Sequence, residues 1–286
     1  MKLSQVGAHW HLGTARLGIT VIKVHPIERL RSVARASGIP QDMLLEETAT
    51  ALASFADDPA GLLTACRRML SRKPESGALV WLAARMISSP DPRREAWLAV
   101  EESETDGLGR RVARAIESEL HVATVGWPES VGAALARRGD LSFHLIDRTG
   151  QGWRRVERLE DRGVTASDVD APWMASAVAG SDLLLLEAVA AGPGEALVPV
   201  ASVPAAAVAR AFDVTVWLVV PTGAVLPDRM WQGLVGRYEA DRPATQLDFE
   251  VLPLSLVDQV VGPARTVSPA DIAQLTSCPV TPELFR

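Results

Sequence analysis

Asparagine is absent from all 286 residues, only three of the 29 basic residues are lysine (Lys2, Lys23 and Lys73), and tyrosine occurs once, at Tyr238. No asparagine means no N-glycosylation acceptor and no mechanism built on an asparagine amide; helix caps must come from Asp, Ser or Thr. The shortage of lysine and asparagine together fits a GC-rich coding sequence. Two cysteines, Cys66 and Cys278, form neither a disulfide framework nor a zinc spacing, which suits a reducing compartment and leads us to expect a cytoplasmic protein with no metal and no cofactor. No apolar run approaches the ~20 residues of a membrane span. The net charge is −6 and no long basic block occurs, so neither nucleic acid nor an anionic membrane is expected as a partner. Residues 1–24 lack the ordered parts of a signal peptide and are read as a poorly ordered leader; His9-Trp10-His11 within it is too short to define a metal site.

What is present falls into two textures. From Pro26 to Leu120 the apolar residues recur at helical spacing, as in Ile27, Leu30, Val33 and Ala34. Further helices are expected over Leu44–Phe55, Leu62–Leu70 and Ala78–Ile87. Ser-Ser-Pro-Asp-Pro at 88–92 starts a long helix over Arg93–Leu120, with a bend expected at Gly107. After residue 121, short runs rich in Val, Leu and Ile alternate with helical stretches. Strands are expected at His121–Val125, Leu141–Ile146, Val164–Val169, Leu183–Leu186, Val214–Val220 and Phe249–Leu252. Helices are expected from Glu129, around Trp153–Leu159, near Trp173 and over Val203–Phe212. Uninterrupted apolar strands alternating with helices predict a parallel sheet covered on both faces. The expected fold class is α/β: a leader (1–24), a helical domain (25–120), then a doubly wound, mainly parallel Rossmann-like sheet domain (121–286).

In such sheets ligands bind at the carboxyl ends of strands, where strand order reverses. Gly126-Trp127-Pro128-Glu129-Ser130-Val131-Gly132 follows the first strand. Proline replaces the first glycine of a nucleophile elbow, which leaves Ser130 either as a helix-start residue near a phosphate or as an ordinary helix cap. Asp147-Arg148-Thr149-Gly150-Gln151-Gly152 follows the second strand; Arg148 either forks two hydrogen bonds to a phosphate, with the glycines allowing close backbone approach, or makes a surface ion pair. Gly192-Pro193-Gly194 reads as a plain turn. Glu187 closes the most apolar strand; a carboxylate there either has its pKa raised by burial and serves as acid or base, or reaches solvent or pairs with an arginine.

These pieces resemble the translation initiation factor 2B alpha/beta/delta family, which also contains methylthioribose-1-phosphate and ribose-1,5-bisphosphate isomerases. His121–Val125 with Glu129-Ser130-Val131 is similar to its strand and Ser-Ser-Thr-Val helix start. Leu145–Arg148 with Gln151–Arg154 resembles its Glu-Ser/Thr-Arg-Pro loop and Gly-Arg helix start. Ser181–Leu186 through Val203–Arg210 follows its central strand and helix, and Phe249–Asp258 with Val267-Ser268-Pro269 resembles its Phe-Asp-x-Thr-Pro-x-x-Leu-Ile ending. Against the isomerases' Gly-Ala-Asp stand Leu186, Glu187 and Ala188. Their Asn-Lys-x-Gly-Thr becomes Val198-Pro199-Val200-Ala201-Ser202, keeping only the last hydroxyl, and no cysteine lies between 67 and 277.

The resemblance therefore implies a non-catalytic relative, a homodimer that binds a phosphosugar or nucleotide phosphate through Ser130, Arg148, Gly152 and Ser202 in a regulatory or scaffolding role. Two alternatives stay open. One is a sugar-phosphate isomerase or lyase with chemistry relocated to Glu187 and Asp147; the other is an interaction protein with no ligand.

Overall fold

The computed structural model describes residues 41–240 and 247–286; the expected first helix near Ile27–Ala34, the leader and His9-Trp10-His11 lie outside the described residues. Helices α1 (Gln41–Ala53), α2 (Pro59–Arg72), α3 (Gly77–Ser88), α4 (Pro92–Glu104) and α5 (Leu108–Ala115) come first. In the absence of asparagine, Asp58, Ser76 and Asp91 cap α2, α3 and α4 through their side-chain oxygens. Pro59 and Pro92 occupy first-turn positions, where a missing N–H costs nothing. The expected long helix over 93–120 is instead two. Gly107 adopts a left-handed conformation (φ +70°), and the Asp106 carboxylate accepts the Leu108 amide at 2.9 Å, closing α4 and opening α5 in a new direction.

The sheet strands follow: β1 (His121–Val125), β2 (Ser142–Ile146), β3 (Thr165–Val169), β4 (Leu183–Glu187), then, after a hairpin, β7 (Thr215–Val219), β9 (Gln259–Val261) and β10 (Thr266–Val267). Their spatial order is β10-β9-β7-β4-β1-β2-β3, parallel throughout except for β10. Between the strands run α6 (Gly132–Leu135), α7 (Gly152–Glu160), α8 (Met174–Ala179), α9 (Ser202–Ala211) and α10 (Asp228–Glu239). The α/β, doubly wound, mainly parallel architecture is thus observed. Its chemistry is visible in β4: Leu183 and Leu185 pack with α5, α6 and α7 on one face, and Leu184 and Leu186 with α8 and α9 on the other. Each of these leucines is buried, worth ~1.5–3 kcal/mol relative to exposure.

A second, antiparallel sheet was not anticipated. β5 (Ala190–Ala191), β6 (Glu195–Pro199) and β8 (Phe249–Pro253) pair in the order β5-β6-β8. The expected 249–252 strand therefore exists but leaves the parallel sheet, and the turn at Gly192-Pro193-Gly194 is the tip of the β5–β6 hairpin. The α1–α4 layer shares its core with α10: Trp81, Trp231 and Tyr238 are all buried in one cluster. Among the described residues no helix is long and apolar enough to cross a membrane.

Candidate functional site

Strand order runs outward through β1, β2 and β3 on one side and through β4, β7 and β9 on the other, so it reverses between the neighbours β1 and β4. The loops leaving these two strands diverge to opposite faces and open a crevice between them. Glu187, the last residue of β4, sits in it. The Ser130 amide, from the loop after β1, lies 3.2 Å from each Glu187 carboxylate oxygen. The helix expected to start at Glu129 begins only at Gly132 and makes a single turn, because the peptide before it faces this carboxylate.

A cavity of about 660 Å³ lies above the pair. It is lined by Glu187, Ser130 and Thr222 at the sheet's carboxyl edge, by Glu104, Asp106, Gly107 and Arg110 at the α4–α5 break in the helical layer, and by Glu129 and Arg137 on either side of α6. Burial pushes the Glu187 carboxyl up to about 7; the hydroxyl and amide of Ser130 and the amide of Glu129 partly offset this, while the Glu129 charge adds to it. Asp106 is occupied, accepting from the Leu108 amide and, at 2.9 Å, from the Thr222 hydroxyl. Arg110 and Arg137, both exposed to the cavity, form no ion pair or hydrogen bond among the described residues. Two guanidiniums that form no ion pair among the described residues, in a cavity also lined by Glu104, Asp106, Glu129 and a Glu187 carboxyl that titrates near neutrality, can hold an anionic group and move a proton at its edge.

The residues singled out from sequence divide. Ser130 and Glu187 line the cavity; Arg148, Gly152, Ser202 and Asp147 do not. Asp147 caps α7, accepting from the amides of Thr149 (2.7 Å) and Gly152 (2.8 Å) and from the Thr149 hydroxyl (3.0 Å). Burial alone would raise its pKa, yet these donors together hold it below the usual carboxylate value. Arg148 Nη1 donates to the Asp248 carbonyl at 3.0 Å, on the segment leading into β8. The Ser202 side chain is fully buried and donates to the Pro199 carbonyl at 2.5 Å, while Glu250 accepts the next amide, of Val203, at 2.8 Å. At the N-termini of α7 and α9, protein carboxylates thus occupy the positions an anion would take. Sequence reading did not single out Arg110 and Arg137. Nothing local marks them among so many arginines, and only the fold brings a residue of the helical layer over the β1 loop. Among the described residues no group of three or more His, Cys, Asp or Glu side chains is arranged to hold a metal ion.

No protein-family model and no curated protein sequence matches the chain. Solved structures do share its fold. The translation initiation factor eIF-2B of Pyrococcus horikoshii OT3 superposes with a TM-score of 0.70 at 14% identity, covering 88% of this chain and 98% of that one. The eIF2B beta subunit of Chaetomium thermophilum gives 0.66 at 15% identity, over 87% of this chain and 88% of its own. A chain of the tetrameric eIF2B-beta2-delta2 complex from C. thermophilum gives 0.67 at 15%, over 87% and 92%. At these identities the likeness shows an initiation-factor-2B-like fold.

Proposed function

We propose that this protein binds a phosphorylated small molecule, a sugar phosphate or a nucleotide, in the cavity between the helical layer and the carboxyl edge of the sheet. The reading rests on one observation: Arg110 and Arg137 face that cavity with no ion pair or hydrogen bond among the described residues, at the point where strand order reverses. Arg110 and Arg137 hold the phosphate by charge-assisted hydrogen bonds, and Glu187 with Ser130 meets the hydroxyl groups of the ligand. The role is regulatory or scaffolding rather than catalytic, and the protein works as a homodimer, a reading supported by the oligomeric complex in which a neighbour of the same fold was solved. It is tested by calorimetric titration with ribose 5-phosphate and with AMP. Binding in the micromolar to millimolar range that weakens at least roughly tenfold in Arg110→Ala and in Arg137→Ala supports the site. No binding of either probe leaves the alternative, an interaction protein without a ligand.

The Glu187 carboxyl favours one second reading, in which the same site performs a proton transfer on its bound phosphosugar. Asp147 is engaged at α7, away from Glu187, so Glu129 is the carboxylate beside it in the crevice. Turnover of a phosphosugar that is lost in Glu187→Gln, with binding retained, would establish this reading; full activity of that variant would end it.

A further inference from the structure

The cavity has an annex. A groove of about 540 Å³ adjoins it, sharing Thr105, Asp106, Gly107 and Arg110 as a common wall. Its remaining lining includes Arg111 and Arg114 from α5 and Thr266 from β10. Three arginines therefore converge within two turns of one short helix. Arg110 and Arg114 are four residues apart and project from one face, a like-charge pair that opposes helix formation when nothing lies between them. Arg111 is held in place, its Nε donating to the Pro263 carbonyl at 3.0 Å, which leaves its terminal nitrogens for another acceptor. Asp106, the one carboxylate that lines the groove among the described residues, is already occupied by the Leu108 amide and the Thr222 hydroxyl. Among the described residues none of the three guanidiniums forms an ion pair, and no acidic residue stands in the first turn of α5.

We infer that this groove takes the distal phosphates of a phosphoanhydride chain whose remainder occupies the cavity, so that the ligand is a nucleoside di- or triphosphate rather than a monophosphate. The inference rests on the cavity reading and extends it. Arg110, on the shared wall, binds the first phosphate. Arg114, one helical turn (about 5.4 Å) further along, and Arg111 beside it bind those that follow. An anhydride chain suits this placement because its charges succeed one another along a short line, as the guanidiniums do. A single phosphate reaches Arg110 and leaves the like-charge pair uncompensated.

Calorimetric titration of AMP, ADP and ATP into the full chain tests it, with the double variant Arg111→Ala/Arg114→Ala and the single Arg114→Ala. Arg114 makes no hydrogen bond among the described residues, so its removal leaves the fold intact; thermal unfolding checks this for both variants. The expected result is that ADP and ATP bind about tenfold or more tighter than AMP. Both variants should reduce that advantage, the double to less than about twofold, with AMP affinity unchanged. Equal affinity of AMP and ADP for the unaltered protein, or an advantage that survives in the double variant, overturns the groove assignment while leaving the cavity reading in place. Failure of AMP, ADP and ribose 5-phosphate alike overturns both.

Discussion

The Ser130 amide donates to Glu187 with both carboxylate oxygens at 3.2 Å, across 57 positions of sequence. This contact ties the loop after β1 to the end of β4 at the reversal of strand order, and it stops α6 from beginning three residues earlier. It also places a carboxyl raised to about 7 in a cavity that carries two arginines with no ion pair among the described residues.

Glu187 should impose a pH dependence on stability. Its pKa rises from 4.5 to about 7 on folding, so the folded state holds the proton more tightly than the unfolded one. The linkage then makes this group's contribution fall as pH rises from about 4.5 to about 7 and stay level above that. After discounting for partial exposure, the fall amounts to ~1–3 kcal/mol. Glu187→Gln should flatten the slope and equal or exceed the unaltered protein in stability at pH 8, as read from urea midpoints across this range.

Asp147 should behave with the opposite sign. Its carboxyl is held below the ordinary value by the donors of Thr149 and Gly152, so its stabilisation is present above the unfolded pKa and lost as pH falls through the folded one. Asp147→Ala should cost ~1–2 kcal/mol at neutral pH, the usual cost of losing a helix cap, and should remove this acid-side loss.

Gly152→Ala should destabilise for a steric reason. A Cβ at this position would lie 2.0 Å from Asp168 Oδ1 and 2.9 Å from Asp147 Cβ. Displacing the cap and the neighbouring strand costs ~1–3 kcal/mol, measurable by chemical unfolding. A change below ~0.5 kcal/mol would show that α7 is not held as close to β3 as the structure has it.

The lone tyrosine joins α10 to β8. Tyr238 is buried, and its hydroxyl accepts the Phe249 amide at 2.9 Å and faces the Phe249 carbonyl at 3.3 Å. Tyr238→Phe should leave that amide unsatisfied at the start of β8 and cost ~1–2 kcal/mol. Hydrogen exchange at Phe249 should accelerate even where the global stability changes little.

Arg110→Ala and Arg137→Ala should each leave stability within ±0.5 kcal/mol of the unaltered protein, because neither side chain has a partner among the described residues to lose. A loss above ~1 kcal/mol in either variant would mean that its guanidinium holds the fold together, and it would weaken the ligand reading. Thermal and urea unfolding without ligand measure this.

Burial periodicity is a local property, and residue order alone carried it. Leu183–Leu186 is apolar at every position, which only a strand covered on both faces tolerates, and it lies at the centre of the doubly wound sheet. The helices that became α2 and α3 were legible from apolar spacing, and the start of α4 from the prolines at 88–92, for the same local reason. The division of one expected helix into α4 and α5 was foreshadowed only as a bend at Gly107. The α10 helix was missed, since Gly233 and Gly236 weaken its helical pattern. Pairing between distant segments has no local signature. The departure of β8 into a second sheet depends on β6, some fifty residues away. The acceptance of the Val203 amide by Glu250, 47 positions away, likewise has no local signature. The meeting of Arg110, Arg137, Ser130 and Glu187 required the helical layer to fold over the strand ends. A cavity is the space left between packed elements, and its lining follows from how those elements dock rather than from the order of residues within any one of them.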